Sequence, residues 1–471
     1  MVGQGALQRS PAMKFNSLEF LFIFLPIVMI GWRIWPKLWQ RNAFILLASY
    51  LFYAFAAKWF ALLMVVSTTV DFTVGILLEN ESRPGRRKLI LLLSLVFNLG
   101  MLSFFKYFNF FIDSVNSLGT PDHPIIRTAM RIGLPAGISF YTFQSMGYSI
   151  DVYRRDLKAA RSFLDFAAFV SLFPQLIAGP IVRPTLLLPQ LERPGKVDDS
   201  KLAEGLFLFG CGLAKKVLIA DRIAFFADPI LDALGQHGSV EVWLAMVGFA
   251  LQIYFDFSGY TDMARGLARM LGLEFSINFD SPYHATSPSE FWQRWHVSLS
   301  SWLRDYLYIP LGGNRKGERR TSFNLLATML LGGLWHGAGF NFLLWGAFHG
   351  VLLLVFHRIE KRGLWAKIPR VARHAAMLLF ILVSWIPFRM HTMRDLGTFL
   401  HRATRIPKMP HVPWQLWGYV ALGIAVCALP TNSNHIRWNA LGWPRVLALA
   451  ALAILAILHL NLSSKFLYFA F

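Results

Sequence analysis

The chain has 471 residues, of which 55% are hydrophobic and 15% are charged, and its formal net charge is +20. A soluble domain carries about 25% charged residues, so the composition excludes an ordinary soluble protein. The basic excess would suit nucleic-acid binding. However, the basic residues cluster in short loops between apolar runs rather than in a separate basic domain, which excludes that class.

The N-terminal residues 1–12 are polar and unpatterned, and we expect a disordered leader there. The segment Met13-Lys14-Phe15 then leads into an apolar run without a cleavage signature. This run is therefore predicted to stay in the membrane. Residues 13–471 contain no repeat and no low-complexity linker, so we predict one integral-membrane domain over that range.

Apolar runs recur along the whole chain, and they are continuous rather than alternating, which favours helices over strands. A crossing helix needs about 20 residues, and several runs are shorter or interrupted by polar residues. We therefore predict an all-α polytopic membrane protein with about eleven transmembrane helices plus re-entrant or half-membrane helices. The predicted runs are 18–35, 42–56, 58–79, 88–108, 134–152, 162–182, 203–220, 240–262, 322–338, 341–357, 371–389, 414–430 and 444–462.

The region 280–318 is rich in proline and glycine and is predicted to be re-entrant. Non-helical backbone at membrane depth is tolerated only inside protein or beside water. Its segment Gly312–Lys316 lacks the spacing of a phosphate loop and is predicted to be a turn. Basic loops at 33–41, 83–88 and 154–161 are separated by even numbers of runs, which places all three in the cytoplasm and the N-terminus outside.

Two Trp-His pairs, Trp295-His296 and Trp335-His336, stand in this apolar sequence. An imidazole is costly at membrane depth and usually lines a cavity or serves chemistry. Small residues surround His336 in the segment Gly332–Gly339, which allows close approach of the backbone. We predict that His336 is a catalytic base; the alternative is a buried histidine whose ring is bound by a carbonyl.

The second histidine, His296, is predicted to lie on a helix where Trp292 and His296 share a face. This helix is either a cavity wall, where His296 binds substrate or orients His336, or an interfacial amphipathic helix. Arg294 and Arg304 carry forked donors that suit phosphate or carboxylate groups. They would serve equally well as anchors at the membrane surface.

Two carboxylates, Asp256 and Asp262, stand in an apolar run. An unpaired carboxylate there is expensive, so each is expected to meet a cation or a helix end, and structural pairing is favoured over catalysis. No histidine spacing predicts a metal site. Cys211 and Cys427 stand in apolar surroundings, so we predict neither a disulfide nor a cysteine metal site.

Six motifs extend over most of the chain and together resemble one family. They are Leu134–Gln144, Phe173–Ile181, Tyr254–Ala264, Phe291–Ser300, Trp302–Tyr306 and Trp335–Ala338. With these motifs the chain resembles the membrane-bound O-acyltransferase (MBOAT) family, in particular its bacterial branch that acylates alginate and teichoic acids.

The resemblance implies helices around a central tunnel, an essential histidine at His336 and a second histidine, His296, in the same tunnel. Further residues carried by the motifs and the loop between them are expected to contact substrate or line the tunnel. They are Trp335, Trp295, Arg294, Arg304, Asp305, Asn314, Asp256 and Gln144. No bound cofactor and no metal are implied, and acetyl-CoA is the expected acyl donor.

The function expected from this resemblance is O-acetylation of an exported polysaccharide such as alginate, from the bacterial inner membrane. Membrane lipids, the polysaccharide and periplasmic acetyl-acceptor or acetyltransferase proteins are the expected partners. D-alanyl transfer or peptidoglycan O-acylation by the same fold is an alternative. A transporter with a histidine and aspartate proton relay is a more distant one, since no inverted repeat is evident, and a structural scaffold for polymer secretion ranks last.

Overall fold

A computed structural model describes residues 13–120, 125–128, 130–195, 197–405, 412–436, 442–460 and 467. Every regular element in these ranges is helical, which confirms the all-α prediction. The predicted leader, residues 1–12, lies outside the described residues. The single domain predicted from residue 13 onward stays a prediction.

The chain forms two compact units. The first contains residues up to Leu206 together with Met263–Phe275, and the second contains Phe207–Asp262 and the chain from Ser276 onward. The helices that begin in the first unit are α1 (Leu25–Ile34), α2 (Leu38–Ala57), α3 (Ala61–Asn80), α4 (Pro84–Leu102), α5 (Phe108–Asn116), α6 (Ile138–Arg154), α7 (Phe163–Ser171), α8 (Phe173–Leu176), α9 (Pro184–Glu192) and α10 (Asp199–Ala214).

The second unit contains the Trp-His pairs. Its helices are α11 (Asp221–Asp232), α12 (Ser239–Met270, which continues into the first unit), α13 (Pro288–Arg294), α14 (Val297–Leu303), α15 (Gly317–His336), α16 (Phe340–Lys361), α17 (Arg370–Arg389), α18 (Met393–Ala403), α19 (Trp414–Cys427) and α20 (Trp443–Leu458). A π-helical turn, Lys215–Ala220, joins α10 to α11, and a second, Arg304–Tyr308, follows α14.

Five helical stretches within the described residues are long and apolar enough to cross a membrane. The first runs for 43 residues and is broken at Lys58, whose φ is 50°. Its two arms, α2 and α3, correspond to the predicted runs 42–56 and 58–79. The structure thus agrees with a multi-pass membrane protein, while the number of about eleven crossings stays a prediction. The five stretches are Leu38–Asn80, Pro84–Asn116, Ser239–Met270, Phe340–Lys361 and Arg370–Arg389.

The predicted run 162–182 does not form one continuous helix. It divides into the short helices α7 and α8, because Leu172 leaves the helical conformation with a ψ of 113°. Pro174 follows at the start of α8, and a proline lacks the N–H that would continue the ladder of α7. Neither piece is long enough to cross a bilayer.

The helices α15, α16 and α17 follow one another through short connections, so neighbours run antiparallel. The start of α15 meets the end of α16, where Lys361 pairs with Glu318 at 3.0 Å. We call this end of the three helices the basic end. Its cationic residues are Arg315, Lys316, Arg319, Arg320, Arg358, Lys361, Arg362, Lys367 and Arg370. The opposite end carries His336, at the last residue of α15.

The packing of α15 against α16 depends on glycines at the contact. A Cβ on Gly346 would meet the carbonyl oxygen of Met329, and a Cβ on Gly333 would meet that of Phe342. Both obstacles are backbone atoms, so the two helices would have to separate. This close approach sets where His336 lies relative to α16.

We expect Gly346→Ala to lower the free energy of unfolding by about 1–3 kcal/mol through overpacking, and to lower acyl transfer with it. The measurement is thermal unfolding of the purified protein in detergent, with activity in membranes. Gly397→Ala, in α18, is the matched control because its Cβ would meet open space. A Gly346→Ala protein as stable and active as this control would contradict the packing argument.

Candidate active site

The imidazole of His336 lies at the C-terminal end of α15 and is buried. Aromatic rings surround it: the ring centroids of Trp335, Trp345 and Phe388 lie 5.0, 5.0 and 5.3 Å from that of His336. The second histidine, His296, lies 6.4 Å away by the same measure. The two Trp-His pairs, which are far apart in sequence, therefore meet in one place.

The backbone at His296 corrects one prediction. Trp292 and His296 do not share a helical face, because α13 ends at Arg294 and α14 begins only at Val297. Between them His296 adopts the left-handed conformation, with φ 44° and ψ 53°. Such a conformation is strained for a residue other than glycine and concentrates at functional sites. Because of this backbone conformation, the His296 ring packs against Trp335 and His336 instead of lying on a helical face with Trp292.

A hydrogen-bonded asparagine, Asn278, holds the buried His296 ring in one tautomer. The backbone N–H of Ser298 donates to Asn278 Oδ1 at 3.0 Å, which fixes that atom as the oxygen. His296 Nδ1 lies 3.2 Å from the same oxygen. Because an amide oxygen only accepts, Nδ1 carries the hydrogen and Nε2 carries the lone pair. A ring held in this way can accept a proton at Nε2.

Trp335 belongs to the aromatic shell around the two histidines, and Trp295 borders it through Phe279, whose ring lies 5.0 Å from that of Trp295 and 6.3 Å from that of His296. The Trp335 ring lies 5.8 Å from that of His296. The Trp295 ring stacks on Phe291 at 5.7 Å and packs against Trp385 at 4.9 Å. Both indoles are buried, so the shell keeps the histidine pair in a low-dielectric environment where hydrogen bonds strengthen.

The two carboxylates of α12 meet lysines, as expected for charges buried in an apolar run. Asp256 lies 2.5 Å from Lys216, which also contacts Asp221 at 2.7 Å. Asp262 lies 2.7 Å from Lys215. The other oxygen of Asp256 accepts a hydrogen bond from the backbone N–H of Leu467 at 2.8 Å. These pairings favour a structural role for Asp256, as the sequence indicated.

The predicted residues Arg294, Arg304 and Asp305 take part in ion pairs. Arg294 pairs with Glu290 at 3.0 Å and lies 3.9 Å from an oxygen of Asp280. Arg304 is largely exposed and pairs with Asp305 at 2.7 Å. Asn314 is exposed in the turn before α15, where Gly312 and Gly313 have positive φ. Gln144 is buried in α6, which belongs to the first unit.

Two residues that the sequence did not single out also belong to this site. Asn278 has no recognisable motif and was missed because it acts through a loop. His349 is buried, with its ring centroid 4.8 Å from that of Trp345. Its spacing from Trp345 on α16, one helical turn, is the signal that could have found it.

A metal centre was not predicted. In the part of the chain that the structure describes, no group of three or more His, Cys, Asp or Glu side chains is placed to hold a metal ion. The two cysteines, Cys211 and Cys427, are both free.

Comparisons with known proteins identify the family of this chain. Residues 154–363 match the model of the membrane-bound O-acyltransferase family. The chain is 44% identical over 390 residues to the "Probable alginate O-acetylase AlgI" of Pseudomonas aeruginosa, covering 81% of this chain and 73% of that protein. It is 33% identical to the peptidoglycan O-acetyltransferase of Helicobacter pylori, over 97% of both chains.

A more distant similarity joins the chain to the teichoic acid D-alanyltransferase of Bacillus subtilis, at 27% identity over 48% of this chain and 59% of that protein. All three relatives are named for transfer of an acyl group. The matched segment 154–363 includes both Trp-His pairs. The chain therefore belongs to the membrane-bound O-acyltransferase family, and it is an O-acyltransferase.

Proposed function

We propose that this protein moves an acetyl group from acetyl-CoA toward hydroxyl groups of an exported polysaccharide such as alginate, across the bacterial inner membrane. The observation that carries the proposal is the meeting of His296 and His336 within one buried aromatic shell, their ring centroids 6.4 Å apart. The similarity to alginate O-acetylases over most of the chain supports the acceptor class.

The donor enters from the basic end of α15, α16 and α17 in this proposal. Cationic loops face the cytoplasm in membrane proteins, and they also attract the phosphates of a coenzyme A thioester. The helix α15 rises about 30 Å from this end to His336, at about 1.5 Å per residue. The thioester would travel from the basic end into a tunnel that ends at the histidine pair.

The acceptor hydroxyl reaches the histidine pair from the opposite, periplasmic side. His336 removes its proton as the oxygen attacks the acetyl carbonyl, so that a C–O bond forms and the C–S bond breaks. The proton then passes to the departing thiolate. His296, with a lone pair at Nε2, orients a reactant or shares the proton. The hydroxyl belongs either to the polymer or to a serine of a periplasmic partner protein.

Acetate bound to the exported polymer is the measurement that tests this function. Cells that lack the gene should lose base-labile acetate from the polysaccharide and regain it with the wild-type gene. Membranes from the complemented cells should also transfer label from radiolabelled acetyl-CoA, and membranes from the deletion should not. Unchanged polymer acetate in the deletion would contradict the proposed acceptor, and label transfer that is equal in both membranes would contradict the donor.

Peptidoglycan is the second candidate acceptor, because the Helicobacter pylori relative aligns over 97% of both chains. Acetate released separately from exopolysaccharide and from purified cell wall distinguishes the two. D-alanine released from either polymer would instead indicate D-alanyl transfer.

A further inference from the structure

Three polar ring groups meet beside the histidine pair without hydrogen-bond partners. Nε2 of His349 and the indole N–H groups of Trp292 and Trp345 are buried and have no partner among the described residues. The His349 ring lies 5.1 Å from Trp292 and 4.8 Å from Trp345, and the two indoles lie 5.7 Å apart. We call these three residues the His349 cluster.

Buried polar groups are nearly always hydrogen-bonded, because leaving one unpaired forfeits its hydration without replacement. One buried ring nitrogen without a hydrogen-bond partner does not indicate a binding site. Here three are in mutual contact, and the rings of Phe291 and Phe348, which also pack against His349, offer no acceptor. A molecule with its own polar groups would complete all three at once.

Along α16, His349 lies between the basic end and the end of the helices that carries His336. His349 is nine residues beyond Phe340, or about 14 Å along α16, and about 18 Å before Lys361. The Trp345 ring packs against both His336 and His349, with centroid distances of 5.0 Å and 4.8 Å. Trp292 belongs to α13, and the loop before α13 is tied to the basic end by a hydrogen bond from Trp365 Nε1 to the Thr286 carbonyl at 3.0 Å.

The chemistry of the cluster suits a slender chain that carries amides. Two indole N–H groups are donors only, and a neutral imidazole nitrogen donates or accepts according to its tautomer. Carbonyl oxygens of a ligand can accept hydrogen bonds from the two indole N–H groups. The imidazole nitrogen can accept a hydrogen bond from an amide N–H or donate one to a carbonyl oxygen. A metal ion gains no ligand from the two donors, and a bare acyl chain would leave all three groups unpaired.

We propose that the His349 cluster binds the amide-containing pantetheine arm of the acyl donor and so holds the thioester against His336. The inference rests on the proposed thioester donor and deepens it. Phosphates bind at the basic end, the amides bind at His349, Trp292 and Trp345, and the thioester lies beside His336. His349 is then a binding residue that places the donor.

The test is equilibrium binding to the purified full chain in detergent, with three probes. They are a non-reactive thioether analogue of acetyl-CoA, pantetheine alone, and adenosine 3′,5′-bisphosphate. We expect His349→Phe, which keeps the ring and removes both nitrogens, to weaken the analogue and pantetheine about tenfold. The nucleotide fragment should bind as it does to wild type. His349→Gln, which keeps hydrogen-bonding capacity, should recover part of the loss.

Two further variants make the test decisive. Trp292→Phe removes an indole N–H from a different helix and should give the same selective loss, so the conclusion does not depend on how His349→Phe folds. His357→Gln, two turns further along α16, is the matched control and should bind all probes normally.

Each outcome bears on the proposal. If wild type binds the analogue and both Phe variants bind it equally well, the cluster is not the donor site, although the donor is correct. If wild type binds none of the probes, the thioester donor is wrong and the inference falls with it. If the nucleotide fragment weakens as much as pantetheine, the variants perturb the whole structure and the assignment is wrong.

Discussion

His336→Ala is expected to abolish polymer-bound acetate in cells while the protein remains in the membrane at wild-type abundance. General-base assistance contributes about 10²–10⁴-fold to a rate, and alanine removes the only nitrogen atoms of the side chain at this position. The lost ring also opens a space among Trp335, Trp345 and Phe388, which lie about 5 Å from it by ring centroid.

His336→Gln separates the two effects, because glutamine fills much of the space and retains polar atoms but cannot act as a base near neutral pH. We expect it to be as inactive as His336→Ala and more stable. His401→Ala, an exposed histidine in the last turn of α18, is the control and should keep full activity. Substantial acetate with His336→Gln would show that the imidazole is not the base.

The second large effect is expected at Lys216, whose ammonium is shared by Asp221 and Asp256. All three side chains are buried, with 3% or less of each exposed. Lys216→Met removes the cation that the two buried carboxylates share, and removing one partner of a buried pair costs about 3–5 kcal/mol. We expect a large fall in the unfolding temperature of the purified protein.

A double variant tests the cause of that fall. Lys216→Met combined with Asp256→Asn leaves one buried carboxylate instead of two and should recover part of the lost stability. Lys361→Met is the matched control, because its partner Glu318 is exposed and such pairs contribute only about 0–1 kcal/mol. If the two lysine variants lose equal stability, burial is not the reason.

The local sequence predicted much of the histidine site. Imidazole is costly at membrane depth, and glycines surround His336 in the sequence. These two local features were enough to single out both Trp-His pairs as candidate site residues. The prediction that Trp292 and His296 share a helical face was wrong. The chain turns at His296 in a left-handed conformation, and the ring there is held by Asn278 rather than by the residues beside it. Asn278 precedes the turn by more than a dozen residues, beyond any helical period.

The charges show the same division. A buried carboxylate in α12 requires a cation, and this follows from desolvation alone. The sequence did not predict which cation pairs with Asp256, because Lys216 belongs to a π-helical turn that precedes α12. His349 was missed for a related reason: Trp345 is one turn away on the same helix, but Trp292 comes close to His349 only when α13 packs against α16.

Composition and local pattern determined that this is an all-α membrane protein with two chemically costly histidines, because hydropathy and desolvation act on each segment separately. The tertiary structure decided that His296 and His336 lie close together, that Asn278 sets a tautomer and that His349 and His336 contact the same indole, Trp345. Those facts depend on contacts between segments distant in the chain, whose formation is governed by helix packing and backbone reversals rather than by the residues within any one window.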